Sequence, residues 1–358
     1  MNKSVTFEMI TATLRKAIAN VMSVKDIDTI PEFASVNIES DGKKLFLRKN
    51  NGQQAAQDII DIEGANIGVF NIIVKSVNIN NLVSKLPADE MKLVVNNNNL
   101  EIVQIYNGKA LKYELAIHSE HNFGKLQIDH GTSMEVTDLG TIMRTVRPAC
   151  SSEHDKAVLM GIHFKNVNGT LEIVATDGRR LNMYQIVNDV ADFTATIPID
   201  SINGLSKFMN CILDVSEKSV SVRNGSFTYS TKLIEGKYPN YSQIIPSKED
   251  QVIVIEETQL LKDGIKRVVN FDDFASDSSV KVTCKGNNLA IDSNTSENSG
   301  HEEINIESDH DYTVNLNARF LEDALPSNNT VKLFHGDPVE PIKLVSDNFV
   351  SVIMPMRK

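Results

Sequence analysis

Eight histidines and three cysteines carry the widest chemical repertoire in this 358-residue chain. His118 and His121 stand at a ligand-like interval, but in a polar stretch with no second pair, which reads as surface histidines rather than half of a metal site. His154-Asp155 offers two adjacent ligands of the kind a metal-dependent hydrolase uses, yet no further His and Asp follow at matching spacing, so a solvated loop is the simpler reading. Asp272-Asp273, just past a helical stripe, reads as exposed charge, and the asparagines at 96–99 read as a turn between strands. Cys150, Cys211 and Cys284 show no CxxC spacing and cannot complete a disulfide framework, which points to a reducing compartment. No P-loop, GxGxxG or HExxH occurs. No nucleophile, base and orienting group can be assembled from spacing. The expectation is a protein without catalytic residues, metal or cofactor, with the hydrolase as the enzyme alternative.

Composition narrows the class. The chain is 41% hydrophobic and 23% charged, with 36 Lys+Arg against 47 Asp+Glu and a net charge of −11. That is ordinary globular composition, too apolar for a disordered chain. MNKSVTFEMI has no apolar signal-peptide core, and no apolar run approaches the ~20 residues needed to span a bilayer. A cytoplasmic location without membrane contact is expected. The acidic balance also argues against a simple basic nucleic-acid binder, since phosphate contacts need Lys and Arg.

The elements that position these residues repeat three times. VNIESDGKKLFLRKNNG from Val36, IHFKNVNGTLEIVATDG from Ile162 and VKVTCKGNNLAIDSNTS from Val280 each read as two alternating strands around a Gly-containing turn. Val36 to Leu45, Ile162 to Leu171 and Val280 to Leu289 share one nine-residue offset, a repeated β-hairpin signature. An amphipathic helix precedes each hairpin: Phe7, Ile10, Leu14, Ile18 and Val21; Leu139, Ile142, Met143 and Val146; Leu261, Ile265 and Val268. A strand follows each hairpin and runs into a shorter helix carrying Leu82, Val83 and Leu86; Leu205, Phe208 and Met209; or Leu321, Ala324 and Leu325. Ser76, Asp200 and Asn317 are the predicted N-caps, with Pro87 and Pro326 as stops. Polar stretches at 127–132 and 247–251 suggest three α+β domains, 1–128, 129–249 and 250–358, each with two helices packed on β-sheets.

Two segments stand out. Ala175-Thr176-Asp177-Gly178-Arg179-Arg180-Leu181 follows the central hairpin, and the chain ends in Val352-Ile353-Met354-Pro355-Met356-Arg357-Lys358. Methionines at an exposed terminus suit a groove that takes varied apolar segments. With the threefold repeat, this pair of motifs resembles the bacterial DNA polymerase III beta subunit, the beta-type sliding clamp. The likeness is strongest at 159–246 and at the C-terminus, traceable through the third repeat and weak in the first. The divergence points to a phage or mobile-element clamp, or to an unusual bacterial lineage.

That resemblance implies the DNA clamp fold and a head-to-tail dimeric ring that encircles duplex DNA without reading its sequence and has no active site. The implied partners are the DNA polymerase III catalytic subunit, a clamp loader and other proteins with a clamp-binding motif. The peptide pocket it implies draws on Leu159, Thr176, Gly178, Arg179, Arg180 and Leu181, on Pro239, Gln243 and Ile244, and on Val339, Met354, Pro355, Met356 and Arg357. Leu159, Leu181, Ile244, Val339, Met354 and Met356 would form apolar walls and the arginines would donate at the rim. Arg179 stands where the family commonly has His and Gln243 where it has Arg, and Arg48-Lys49-Asn50-Asn51 replaces the motif in the first repeat. Helix position suggests Lys16, Lys25, Arg147, Lys207 and Lys266 as DNA contacts. The ring interface is expected to pair Tyr113 and Leu115 with Val269 and Phe271. The six predicted helix segments carry net +4, leaving −15 for the rest of the chain, so a mildly basic lining within an acidic body would attract a phosphate backbone. A clamp-like scaffold or decoy that binds peptides but does not load on DNA is the alternative.

Overall fold

A computed structural model describes residues 4–62, 68–96, 98–118, 129, 131–153, 156–249, 251–269, 278–294, 299–326 and 329–357. In the first third run β1 (Val5–Ile10), α1 (Thr11–Val21), β2 (Ser35–Asp41), β3 (Lys44–Asn50), β4 (Gln54–Asp61), β5 (Val69–Lys75), α2 (Ser76–Val83), β6 (Glu90–Val95), β7 (Asn99–Tyr106) and β8 (Lys109–Ala116). The second repeats the order with β9 (Thr132–Thr137), α3 (Leu139–Val146), β10 (Gly161–Val167), β11 (Thr170–Thr176), β12 (Arg180–Val187), β13 (Phe193–Pro198), α4 (Ile202–Leu205), β14 (Asn210–Val215), β15 (Ser219–Asn224) and β16 (Phe227–Lys232). The last adds one short strand to the same series: β17 (Val252–Ile255), α5 (Thr258–Val269), β18 (Ser279–Lys285), β19 (Asn288–Asn294), β20 (Ser299–Asn305), β21 (Glu307–Ser308), β22 (Tyr312–Asn317), α6 (Ala318–Ala324), β23 (Val331–Phe334), β24 (Ile342–Ser346) and β25 (Phe349–Ile353). The three hairpins fold as the nine-residue offset predicts, with Ser40 opposite Leu45, Val167 opposite Thr170 and Lys285 opposite Asn288.

The chain divides into two compact units, Met1–Thr141 with Asp200–Leu233, and Ile142–Ile199 with Ile234–Lys358. The first unit holds a four-stranded sheet, β1-β6-β7-β8, and an eight-stranded sheet, β5-β2-β3-β4-β16-β15-β14-β9. The second holds a nine-stranded sheet, β13-β10-β11-β12-β25-β24-β23-β17-β21, and a four-stranded sheet, β20-β19-β18-β22. Each long sheet fuses strands of two successive thirds, through β4 with β16 and through β12 with β25. The buried stripes that close the cores are Leu14, Ile18 and Val21 on α1, Leu139, Ile142, Met143 and Val146 on α3, and Leu261, Ile265 and Val268 on α5.

Several local expectations change. Phe7 and Ile10 are not helical: they lie in β1, paired with β6, and the helix begins at Thr11. Apolar residues at i and i+3 fit a helix, but only one of the pair, Phe7, is buried while Ile10 faces solvent. The helix predicted through Met209 is one turn, Ile202–Leu205. There Gly204 lies against the Tyr229 ring so closely that a Cβ would come within 2.3 Å of it. Phe208, beyond the turn, stacks on Phe227 at 4.8 Å. Asn317 caps α6, its side-chain oxygen accepting from the Phe320 N–H at 3.1 Å. Ser76 instead opens α2 and donates to Asp26 and to the Ala34 carbonyl, while Ser201 rather than Asp200 precedes α4.

Arg48 and Lys49 become internal ties of the first unit. Lys49 is fully buried, pairs with Asp26 and donates to the Phe33 carbonyl; burial pulls its pKa down and the Asp26 carboxylate opposes that shift. Arg48 pairs with Glu39, donates to Gln57 at 2.6 Å and lies over the Phe46 ring. Breaking either buried pair would leave an uncompensated charge, which is strongly destabilising.

In the second unit, His163 on β10 stacks on Tyr238 with ring centroids 4.4 Å apart, and its Nδ1 lies 3.0 Å from the Thr196 hydroxyl. Burial, helped by the Lys165 charge, pushes its pKa down to about 4. An unfolded histidine protonates near ~6.5, so the unfolded chain takes up a proton that the native state refuses. This contribution to stability is complete above that value, is lost as pH falls from there towards the folded pKa, and is flat below it. Urea melts of the wild type should lose about 1.4 kcal/mol per pH unit from this group across that window, and His163→Gln should lack that part of the slope; identical slopes would contradict the assignment.

Candidate functional site: an apolar surface at the β12–β25 seam

The site is built where two distant segments pair. β12 and β25 run antiparallel with Arg180 opposite Ile353 and Leu181 opposite Val352, so the Asp177-Gly178 turn lies beside the C-terminal tail. The turn is closed by its own side chains. Thr176 Oγ1 donates to the Arg180 carbonyl at 2.6 Å and accepts from the Gly178 N–H at 3.1 Å. Asp177 Oδ1 accepts from the N–H groups of Arg179 and Arg180 at 2.9 and 3.0 Å. Gly178 takes φ +88°, a conformation that favours glycine, and nothing lies within 4 Å of where a Cβ would stand. The backbone there is open to an approaching ligand.

The tail is fixed as firmly. Met354 N–H donates to the Arg179 carbonyl at 2.9 Å and Met356 N–H to the Asn315 carbonyl at 2.8 Å. These bonds hold Pro355 and Met356 half-buried and leave Met354 41% exposed. An apolar cluster of Leu159, Val174, Leu181, Met183, Tyr238, Tyr241 and Val352 packs in the same region, with Val158, Ile245 and Val350 half-buried against it. Ile244, beside this cluster in sequence, is 39% exposed, and Pro239 and Gln243 are exposed. Val339 is 80% exposed in the 336–340 loop. Ile244 and Met354, each next in the chain to a member of the cluster or of its seam, leave exposed apolar side chains suited to apolar ligands, whereas no contact joins Val339 to that cluster among the described residues.

The two arginines have separate roles. Arg180 is not a rim donor: it is buried, with its guanidinium bonded to Asp177 at 3.2 Å, to Asp323 at 2.5 Å and to the Pro148 carbonyl, and it lies over the Phe320 ring at 4.2 Å. It fixes the turn. Arg179 and Arg357 are exposed and have no ion pair among the described residues, so they are the cations free to meet a ligand.

The sequence does not single out Tyr238 and Tyr241, yet both rings pack in the cluster with Leu159, Leu181 and Val352 and meet edge to face with centroids 6.3 Å apart. Tyr241 donates to Glu172 at 2.5 Å, and Lys165 pairs with that carboxylate at 3.7 Å. Burial and the acceptor Glu172 hold the Tyr241 hydroxyl in its protonated form, its pKa well above the ordinary value. The nearby thiol is inert as well. Burial pushes Cys150 up to about 12, as it does Cys211, so neither is a thiolate nucleophile at neutral pH.

The remaining predicted residues are dispersed. Lys16 is exposed on α1, Lys25 is exposed after it with Nζ 4.0 Å from Asp200, and Lys207 donates to the Ala19 carbonyl. Arg147 is exposed in the turn after α3, and Lys266 on α5 pairs with Glu322 at 3.3 Å. Arg15 is held internally, donating to the Val83 and Leu86 carbonyls. Tyr113 and Leu115 are half-buried on β8, the edge of its sheet, and Val269 is buried in its own core. Phe271, His121, His154, Asp155, Asp272 and Asp273 lie outside the described residues. Among the described residues, no group of three His, Cys, Asp or Glu could hold a metal ion, and no helix is long and apolar enough to cross a membrane.

Comparison with known proteins points the same way. Residues 133–240 match the family described as DNA polymerase III beta subunit, central domain, and 242–357 match its C-terminal domain. The beta sliding clamp of Lactococcus lactis is 25% identical over 354 residues, covering 92% of this chain and 93% of its own. That of Streptococcus pneumoniae is 22% identical over 382 residues, covering 100% and 98%. A DnaN sliding clamp from Pseudomonas aeruginosa, solved with griselimycin bound, superposes with TM-score 0.86 at 20% identity over 99% of this chain and 100% of that one. The beta subunit of Streptococcus pyogenes gives 0.85 at 21% identity, covering 99% and 100%. The solved structures establish the fold and the two matched domains the lineage: the chain belongs to the DNA polymerase III beta-subunit family, the beta-type sliding clamps.

Proposed function

We propose that this chain is a DNA sliding clamp, a processivity factor in which two copies close head to tail around duplex DNA and hold a replicative polymerase to its template. Strand topology supports ring closure. Each third contributes one sheet half ending in β4, β12 or β20 and another ending in β8, β16 or β25. Within the chain β4 pairs with β16 and β12 with β25. β20 and β8 remain as free edges of their sheets. A second copy would repeat the same seam twice, β20 of one against β8 of the other, and leave neither edge exposed. In this arrangement Tyr113 and Leu115 lie at the seam, and Val269 supports it from within its own core.

Such a ring needs no grip on bases. Exposed cations on and beside helices, Lys16, Lys25, Arg147, Lys207 and Lys266, would meet the phosphate backbone without reading sequence, while the acidic remainder of the chain repels it. Topology then replaces affinity, because rebinding of a tethered polymerase becomes intramolecular at an effective concentration of roughly mM. No bond is made or broken, so the protein has no catalytic residue and acts as a binding platform in the cytoplasm. The domains are proposed as 1–128, 129–249 and 250–358.

The cleft at the β12–β25 seam would receive short linear segments of the polymerase catalytic subunit, the clamp loader and other clients. The observation that carries this reading is the backbone pairing that sets the 176–181 turn and the 354–357 tail beside one apolar cluster. Leu159, Leu181, Ile244, Val339, Met354 and Met356 would line it, with Thr176, Gly178, Pro239, Gln243 and Pro355 shaping its entrance. Arg179 and Arg357 would favour clients that carry a carboxylate beside their apolar residues.

With an ATP-driven loader, the protein should stay on nicked circular DNA and run off once the circle is cut; equal retention on both, or a monomeric mass at working concentration, would favour the non-loading scaffold instead. Deleting 354–358 should abolish capture of a polymerase-derived peptide in fluorescence anisotropy while leaving a cooperative melt. Wild-type affinity in the folded truncation would overturn the cleft assignment.

A further inference from the structure

The β1-β6-β7-β8 sheet carries on its solvent face a row of two isoleucines flanking a carboxylate that neither ring closure nor the cleft uses. Register sets Ile10 opposite Glu90 and Glu8 opposite Lys92. Lys92 in turn stands opposite Val103. Ile105, two positions beyond Val103, comes level with Glu90, so Ile10, Glu90 and Ile105 cross three strands as one row. Ile10 is 58% exposed and Ile105 68% exposed, with Tyr106 exposed next to it. A groove of about 830 Å³ runs along them, lined also by Glu8, Met9 and Asp89.

Its wall is already ordered. Gln104 is buried, and its amide nitrogen, with two hydrogens to donate, lies 2.9 Å from Thr11 Oγ1 and 3.0 and 3.2 Å from the Ala88 and Glu90 carbonyls. That network fixes the 88–90 segment before any ligand arrives, which lowers the ordering cost of binding. Charge selects the occupant. Glu8, Asp89 and Glu90 are exposed, Lys92 is the one cation among the lining residues, and none of the three carboxylates is held in an ion pair among the described residues. Such a face repels nucleic acid and anionic lipid and attracts a cationic segment. Tyr113 stands opposite Ile102 and Leu115 opposite Leu100, both buried, so the β8 residues expected at a ring seam lie on the other side of this sheet.

We propose that this face is a second docking surface, for a protein segment with two apolar side chains flanked by Lys or Arg. It stands independently of ring closure and of the cleft. The probe is a fluorescein-labelled peptide, Gly-Lys-Ile-Lys-Leu-Lys-Gly, titrated against the full chain alongside a control with Ser for Ile and Leu. The control peptide and the Ile105→Ser protein should each bind roughly tenfold more weakly, Glu90→Gln should weaken binding and reduce its salt dependence, and the bound peptide should slow hydrogen exchange at 5–10, 88–92 and 103–105. Because Ile105 and Glu90 are exposed, both variants should keep the wild-type melt. Equal affinity for the two peptides, undiminished binding by Ile105→Ser, no protection at these segments, or self-association abolished by Ile105→Ser would each overturn the proposal.

Discussion

The antiparallel pairing of β12 with β25 is the constraint on which the site depends. It joins residues more than 160 positions apart, Arg180 with Ile353 through Tyr184 with Phe349, and turns two sheet halves into one nine-stranded sheet. Without that seam the methionine tail would be a loose end and the Asp177-Gly178 turn an ordinary hairpin tip. With it, the tail's N–H groups are drawn onto the Arg179 and Asn315 carbonyls, and an apolar surface is held beside the Leu159–Tyr238 cluster. The ladder costs little in net hydrogen-bond energy, since water would satisfy the same groups. Its stability comes from the buried faces of Leu181, Val352 and Ile353.

The same device appears in the first unit, where β4 pairs with β16. Two equivalent seams in one chain make sheet fusion the working rule of the fold, and the edges left over, β8 and β20, follow from the rule rather than from any special interface chemistry. The first third repeats the turn of the second with other residues, and Gly52 takes φ +84° as Gly178 takes +88°. At the place of the Thr176–Leu181 turn it has Asn50-Asn51-Gly52, closed in the same way: Gly52 N–H donates to Asn50 Oδ1 at 2.7 Å and Asn51 Oδ1 accepts from the Gln53 and Gln54 N–H groups at 3.0 and 2.7 Å. Arg48 and Lys49, expected in that place, lie just before it on β3 with their charges met by Glu39 and Asp26.

Much of this was legible in the sequence. The nine-residue offsets reported three hairpins because strand alternation and a Gly turn are local properties, set by residues that touch their neighbours in the chain. The stripes of α3 and α5 were legible for the same reason. The segment of Phe7 and Ile10 departs from the helical expectation because one i, i+3 pair is too short to fix a period, and only pairing with β6, 80 to 90 residues away, decides it. The sequence alone suggests a rim donor at Arg180 because its partner Asp323 lies 143 positions further on. In the one-turn α4, Gly204 leaves room for the Tyr229 ring, another contact that no local window contains. The two motifs mark where β12 and the tail meet, and long-range packing decides which of their side chains are buried and which are exposed.

Encirclement is the central claim, and electron microscopy of the protein loaded on DNA tests it most directly. The account predicts a closed ring of two copies with the duplex through its hole and continuous sheets across both seams between copies. A single copy bound to the side of the duplex, or a dimer whose β8 and β20 edges face solvent, would contradict it.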